Sequence, residues 1–169
     1  MQRRFAITRT AEVALAGVLG LALAGCGFKL RGSQNYAFKT IAIMPNPGGP
    51  VAAELRRSFG AAVRVLAPQE PPTQAQVVLD IVQEQREKTV VGVNSSGQVV
   101  EFQLRIRVKF KVGTPEGAEL TPEAEILLQR DISFNESAVF AKEAEEAMLY
   151  RDMQTDVVQQ LLRRLASIK

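Results

Sequence analysis

The sequence predicts an α/β (α+β) two-layer sandwich, with two helices packed on one face of a roughly four-stranded mixed or antiparallel sheet. Two patterns support this fold class. Residues 101–112 alternate without a break between polar and apolar side chains, and the last third of the chain repeats apolar residues at helical spacing. The predicted element order is β-α-β-β-β-α. Because two helices can cover only one face of such a sheet, we expect the opposite face to meet solvent or a polar partner.

The first strand and helix are predicted directly after residue 39. The run TIAIM, from residue 40, is β-type and is closed by the Pro/Gly-rich loop PNPGGP. A helix over about residues 51–59 is predicted because Val51, Leu55, Ser58 and Phe59 lie near one another at helical spacing. Gly60 is a typical helix stop. Residues 63–66 predict a short strand or a turn, and PQEPPTQAQ has the composition of a linker.

The central strands are predicted from β-branched content and from strict alternation. VVLDIVQEQREKTVVGV leads into NSSGQ, a plausible hairpin turn. The alternating segment EFQLRIRVKFKV then predicts a long, half-buried strand. Its apolar residues form a core face: Phe102, Leu104, Ile106, Val108, Phe110 and Val112. Its other face carries four consecutive cations, which we call the cationic row: Arg105, Arg107, Lys109 and Lys111.

The last strand and the last helix complete the predicted sheet and its cover. GTPEGAELTPE is typical of a second turn region, and AEILLQRDISFN, from residue 124, predicts another strand, which is antiparallel to its predecessor if the connection is a hairpin. A long amphipathic helix follows, whose apolar stripe is Leu149, Met153, Val157, Leu161, Leu165 and Ile168. Glutamates 143, 145 and 146 in its predicted first turn, and Arg163, Arg164 and Lys169 near its end, suit the helix dipole.

Composition excludes several classes of function. The chain of 169 residues has no histidine and one cysteine, which excludes Ser-His and Cys-His catalytic pairs, His-ligated metal sites and an intramolecular disulfide. No carboxylate pair and no Ser-x-x-Lys helix start stands out, so a Ser-Lys hydrolase is disfavoured and no catalytic residue, metal or cofactor is predicted. Residues 1–25 hold three arginines and one glutamate, and without them the net charge falls from +3 to +1. Nucleic-acid binding is therefore not indicated.

The N-terminal residues predict a lipoprotein leader. Three arginines precede an apolar run of 12 residues, from 13 to 24, which is too short to span a bilayer but has the length of a signal-peptide core. Leu23-Ala24-Gly25-Cys26 resembles a bacterial lipobox, which implies cleavage before Cys26 and acylation of that cysteine. Several acyl chains give stable membrane anchoring. Gly27, in place of the aspartate that usually retains lipoproteins in the inner membrane, implies the outer membrane.

These features divide the chain into three predicted parts. Residues 1–25 form the signal peptide, residues 26–38 form the acylated cysteine with an N-terminal leash, and residues 39–169 form a single α/β domain facing the periplasm.

Three stretches carry a resemblance to a known family. Residues 26–32, CGFKLRG, resemble the start of the lipopolysaccharide-assembly lipoproteins of the LptE family. Gly97-Gln98 followed by EFQL from residue 101 is similar to the family's hairpin and strand. Ala141-Lys142-Glu143, with the helix after it, is similar to its C-terminal segment. Together with the matching element order, the resemblance covers essentially the whole chain after the leader.

The resemblance implies a function without catalysis. LptE-type proteins sit in the lumen of the outer-membrane β-barrel LptD, where they act as a plug, assist barrel assembly and help deliver lipopolysaccharide to the outer leaflet. Family members can carry a basic residue in the hairpin just before Gly-Gln, associated with lipopolysaccharide contact. Ser95 and Ser96 stand there in this chain, so a cationic hairpin tip is missing. Lys142 matches the family's Ala-Lys position, which makes it a candidate lipopolysaccharide contact, with a surface lysine near a helix start as the alternative.

Further candidate residues follow, each with an alternative. The cationic row could bind lipid A phosphates, or it could be a solvated face neutralised by Glu84, Glu87, Glu125 and Asp131. Phe28 and Leu30 pack against the barrel wall or belong to a mobile leash. Ser95, Ser96 and Gln98 form a partner-contacting tip or an ordinary loop. The alternative function is that of an accessory lipoprotein of a phospholipid-trafficking transporter, which would share the anchor and a small α/β domain.

Overall fold

A computed structural model describes residues 34–168. The elements follow in the order β1 (Thr40–Met44), α1 (Pro50–Ser58), β2 (Arg64–Val65), β3 (Val77–Val93), β4 (Val99–Gly113), β5 (Glu119–Ser133) and α2 (Val139–Ala166). Short 3-10 turns occupy Pro72–Gln74 and Glu136–Ala138. The predictions for the signal peptide, Cys26, Phe28 and Leu30 lie outside the described residues, as does most of the predicted leash.

The strands form one mixed sheet in the order β2-β1-β3-β4-β5. Strand β1 pairs in parallel with β2 and with β3, while β3, β4 and β5 pair antiparallel. The predicted α+β class is confirmed, with five strands in place of about four. The additional strand is the two-residue β2. It lies within residues 63–66, for which the sequence predicts either a short strand or a turn.

Helix α1 begins and ends where its sequence requires. Pro50 occupies the first helical position, where a missing backbone N–H costs nothing. Leu55 is fully buried, and the chain leaves the helix through Gly60 at a φ of +55°. The Arg56 guanidinium donates to the carbonyl oxygens of Ile43, at 3.0 Å, and of Pro47, and it thereby holds the preceding loop against the helix.

The core lies between the sheet and the two helices. The apolar face of β4 is the centre of this core, because Leu104, Ile106, Val108 and Phe110 are all 0% exposed. From α2, Val157, Leu161 and Leu165 are also 0% exposed and belong to the same cluster. Both periodic patterns thus mark the buried faces that they predicted.

Two predicted boundaries are wrong. Strand β5 begins at Glu119, five residues before the predicted start, and it includes Pro122. An edge strand tolerates proline, and an irregularity in the β4–β5 pairing, where Phe110 faces Ala124 but Val112 faces Thr121, accommodates it. Helix α2 begins at Val139 after a 3-10 turn, so its first turn holds no acidic residue. The basic last turn, with Arg163 and Arg164, agrees with the prediction.

A β-bulge in β3 changes which of its side chains face the helices. The register shifts between Ile81 and Gln83. Before the bulge, odd-numbered residues such as Leu79 point into the core. After it, Arg86 pairs with Ile106 and Lys88 with Leu104, which are core residues, and directly paired residues share a face. The even-numbered residues of distal β3 therefore lie on the helix side of the sheet.

Candidate functional site

The cationic row lies on the open face of the sheet, and most of it is neutralised. Its members alternate along β4 with buried residues, so they point away from the helices. Three of the four are paired with carboxylates of adjacent strands: Arg105 with Glu87 at 4.0 Å, Arg107 with Glu125 at 3.2 Å, and Lys111 with Asp80 at 3.4 Å. Lys109 has no ion pair among residues 34–168. The open face is therefore a ladder of cross-strand charge pairs.

Two of the carboxylates expected to neutralise this row do not. Asp131 accepts a hydrogen bond from the Gln103 side chain at 3.0 Å. Glu84 lies on the other face, because the β3 bulge reverses its side, and it accepts the backbone N–H of Val51 at the start of α1. Burial raises the pKa of Glu84, while this hydrogen bond and the neighbouring Arg86 lower it less strongly.

Lys142 projects from the first turns of α2 beside the distal end of the sheet. Its ammonium donates to the Ser133 hydroxyl at 3.0 Å and to the Glu145 carboxylate at 2.9 Å, and its side chain is 21% exposed. It lines a groove of about 230 Å³, which we call the Lys142 groove. Lys88 and Glu146, paired at 2.6 Å, line the same groove, together with Phe102 and Phe134 in edge-to-face contact.

The structure does not bring Lys142 and the cationic row together. The row lies on the open face of the sheet, whereas the Lys142 groove is lined by Phe102 and Ile132, which face the helices. It does bring Lys142 close to Lys88, which sequence reasoning missed. The alternation in β3 places Lys88 on the helix side only when the bulge is taken into account, and no residue type in the sequence marks that bulge.

A second, larger groove adjoins the first along the outer edge of β3. It has a volume of about 550 Å³ and is lined by Arg86, Lys88, Glu143, Glu146, Ala147, Tyr150 and Arg151. We call it the Arg86 groove. The Lys88–Glu146 pair belongs to both grooves and separates them. The Tyr150 hydroxyl donates to the Glu87 carbonyl oxygen at 2.7 Å, which satisfies a backbone group on this edge of β3.

The hairpin tip between β3 and β4 is ordered by Asn94. Its side-chain oxygen accepts the backbone N–H groups of Ser96 and Gln98, each at 2.9 Å, and its amide donates to the Gln98 side chain. Gly97 has a φ of +79°, as the turn requires. The side chains of Ser95 and Ser96 are exposed, so the tip presents neutral hydroxyls.

Two properties of the described residues bear on function. Within residues 34–168, no group of acidic or cysteine side chains is placed to hold a metal ion. Over the same residues, neither helix combines the length and the apolar character needed to cross a membrane.

Solved structures share the architecture. The solution structure of an uncharacterized lipoprotein B from Nitrosomonas europaea is 35% identical, with a TM-score of 0.71 over 83% of this chain and 91% of that one. The rare lipoprotein B from Shewanella oneidensis, at 20% identity and a TM-score of 0.64, covers 76% of this chain and shares the fold. The fold and its neighbours define a small, two-layer α+β domain of the bacterial lipoprotein class.

Sequence relatives identify the family. The LPS-assembly lipoprotein LptE of Yersinia enterocolitica is 29% identical over 89% of this chain and 73% of its own. That of Photorhabdus laumondii is 28% identical over 91% of this chain and 84% of its own. The model of the LptE lipopolysaccharide-assembly family matches residues 38–165, so the chain belongs to that family. This match confirms the resemblance that three short stretches of the sequence indicated. The function of the family is lipopolysaccharide assembly.

Proposed function

We propose that this protein is an outer-membrane lipoprotein that occupies the lumen of the β-barrel LptD, assists assembly of that barrel and helps deliver lipopolysaccharide to the outer leaflet. The observation that carries the proposal is the family match over residues 38–165, which spans every strand and all of α2 except its last residue. Acylation of Cys26 supplies the membrane anchor in this proposal.

The open face of the sheet supports a site inside a barrel. The lumen of a large outer-membrane barrel is polar and hydrated. A face of paired charges such as Arg107–Glu125 is compatible with such a lumen, because a paired cation keeps its carboxylate when bulk water is partly excluded. The core residues on the opposite side of the sheet are already covered by α1 and α2.

Lys142 is the lipopolysaccharide contact in this proposal. Its ammonium is held by Ser133 and Glu145 at the mouth of a groove that also presents aromatic rings. A phosphate oxygen can replace the Glu145 carboxylate as the acceptor, since both are anionic oxygen acceptors for an ammonium. The cationic row is not assigned this role, because its pairing with carboxylates leaves less free positive charge.

Capture from solubilised outer membranes tests the proposed partner. The full chain, tagged at its C-terminus, is purified in mild detergent and examined for a co-eluting band that shifts on boiling. A stoichiometric heat-modifiable band, identified as LptD by mass spectrometry, is the expected result. Co-elution with inner-membrane ATPase subunits and no barrel would overturn the proposal and favour the phospholipid-transport alternative.

The matched control addresses the anchor separately. A Cys26→Ala variant with the signal peptide replaced by one for unlipidated secretion is expected to stay in solution when mixed with lipid vesicles that contain no LptD, whereas the acylated protein binds them. Binding of the variant to these vesicles as strong as that of the acylated protein would contradict the role assigned to Cys26.

A further inference from the structure

The Arg86 groove presents guanidinium groups that lack carboxylate partners. Neither Arg86 nor Arg151 has an acidic oxygen within 4.0 Å among the described residues, whereas three of the four cations on the open face are ion-paired. Lys88 lies between this groove and the Lys142 groove, paired with Glu146. Unpaired arginines that share a concave surface are the arrangement that recognises phosphate oxygens.

Arg86 is held in place by neighbours that leave much of its fork of donors free. One of its terminal nitrogens donates to the Gln154 side-chain oxygen at 2.5 Å, and its guanidinium stacks over the Tyr150 ring at 5.3 Å from the centroid. Gln154 is itself fixed, because its amide donates to Glu54 of α1 at 2.5 Å. A side chain positioned in this way loses little conformational entropy when an anion binds.

We propose that the Arg86 groove binds a phosphoryl group, with Arg86 and Arg151 as the donors and Tyr150 as the floor on which Arg86 rests. Three cations, Arg86, Lys88 and Arg151, line the groove together with two carboxylates. The neighbouring Glu84 carboxylate lies outside the lining and is bonded to the Val51 N–H, and it offsets part of the Arg86 charge without forming an ion pair with it. Glu146 is neutralised by Lys88. Glu143 is the groove's remaining carboxylate, and it opposes the anion.

The inference that the groove binds a phosphoryl group does not depend on the proposed function. The identification of the molecule that carries this group does rest on it. If the protein handles lipopolysaccharide, the phosphates of lipid A are the natural occupant, and the adjoining Lys142 groove can take another part of the same amphiphile. Free inorganic phosphate offers the same oxygen chemistry, so the two sources must be separated by experiment.

The test compares variants of the full-length protein in nonionic detergent. Binding of lipopolysaccharide, of lipopolysaccharide with its phosphates removed enzymatically, and of inorganic phosphate is measured by isothermal titration calorimetry at fixed ionic strength. The groove variant is Arg86→Gln/Arg151→Gln. The matched control is Arg57→Gln/Arg163→Gln, which removes the same charge from exposed positions on α1 and α2 outside the groove.

The groove variant is expected to bind phosphorylated lipopolysaccharide about tenfold more weakly than the control, the loss typical of a charged hydrogen bond. It should bind the dephosphorylated form as the control does. Glu143→Gln should tighten binding. Arg151→Gln alone should weaken it, and this variant removes no hydrogen bond or ion pair with another described residue, which separates ligand loss from misfolding.

The outcomes distinguish the sources and the two proposals. Weakened binding of both inorganic phosphate and lipopolysaccharide supports a site for the phosphoryl group alone. Weakened binding of lipopolysaccharide only supports a lipid-linked phosphate. If groove and control variants bind both ligands equally, the inference is overturned, while co-purification with LptD would leave the proposed function standing. If no form binds lipopolysaccharide, the proposed ligand fails, and the inorganic phosphate titration alone decides for or against the groove.

Discussion

The carboxylate of Glu84, on β3, accepts the backbone N–H of Val51, at the start of α1, with an oxygen–nitrogen distance of 3.1 Å. This contact joins the helix to the sheet across the turn that contains Gly49. A side chain at Gly49 would collide with the Glu84 carboxylate, because a Cβ built there lies 2.3 Å from one of its oxygens. The β3 bulge, which turns Glu84 to the helix side, therefore determines how α1 is attached.

Glu84 should make stability depend on pH. Burial raises its pKa in the folded state above the ordinary value of 4.5. At a pH between the ordinary pKa and the raised pKa, the folded protein binds more protons than the unfolded chain. The contribution of Glu84 protonation to the free energy of unfolding is therefore present at low pH and is lost as pH rises through the folded pKa. The wild type should gain unfolding free energy relative to Glu84→Gln when pH is lowered from 7 to 4, as measured by urea unfolding.

The control for this prediction is Glu123→Gln, at an exposed position on β5. Its difference from the wild type should show no such rise on acidification. A pH-independent difference for Glu84→Gln would contradict the prediction. Glu84→Ala should cost about 0.5–2 kcal/mol at pH 7, because the N–H of Val51 loses its side-chain acceptor.

Substitutions at buried and at exposed positions of α2 should differ strongly in how much they lower the free energy of unfolding. Leu161 is fully buried between the sheet and α1, so Leu161→Ala should lower the free energy of unfolding by about 2–5 kcal/mol. Met148, on the same helix, is 56% exposed, and Met148→Ala should change it by less than about 0.5 kcal/mol. Equal losses in chemical denaturation would show that the helix is packed differently.

The hairpin tip should require glycine at position 97 because of its backbone conformation and not because of steric crowding. Gly97 has a φ of +79°, and a Cβ built there meets nothing within 4 Å. Gly97→Ala should therefore destabilise the protein by about 1 kcal/mol through backbone strain, and Gly97→Asn by less, because asparagine tolerates this conformation better. Ser95→Ala is the control without strain. Thermal unfolding that ranks alanine and asparagine equally would rule out this cause.

Lys142 and the cationic row should respond differently in lipopolysaccharide binding. Lys142→Gln should weaken binding several-fold, because it removes the charged donor at the mouth of its groove. Replacement of all four row residues by glutamine should change binding by less than about twofold at physiological ionic strength, since three of them already hold carboxylates. A larger effect from the row than from Lys142 would reverse the assignment.

Much of the fold could be predicted because each pattern involved is local. Strand β1 has the bounds that its β-type run indicated, and α1 differs from the prediction by one residue at each end. The alternation in β4 and the four-residue spacing in α2 report burial directly, since side-chain direction follows backbone geometry. The start of β5 was missed because proline and charged residues there resemble a turn until the edge position is known.

The candidate site was predicted less completely. Lys142 was found only through the family resemblance, because a lysine near a helix start carries no special signal. Arg86 and Arg151 were missed because they are separated by 65 positions in sequence and line one groove only when α2 packs along β3. The cationic row stood out in the sequence, yet its carboxylate partners became visible only with the strand register.

The fold class, the buried faces and the family follow from the amino-acid sequence, because periodicity and short motifs depend on neighbouring residues. The face that each charge occupies depends instead on how the strands pair. A single inserted residue at the β3 bulge reverses the direction of the side chains that follow it as far as Val90, which moves Glu84, Arg86 and Lys88 to the helix side. That reversal creates both grooves beside α2, and no local pattern records it.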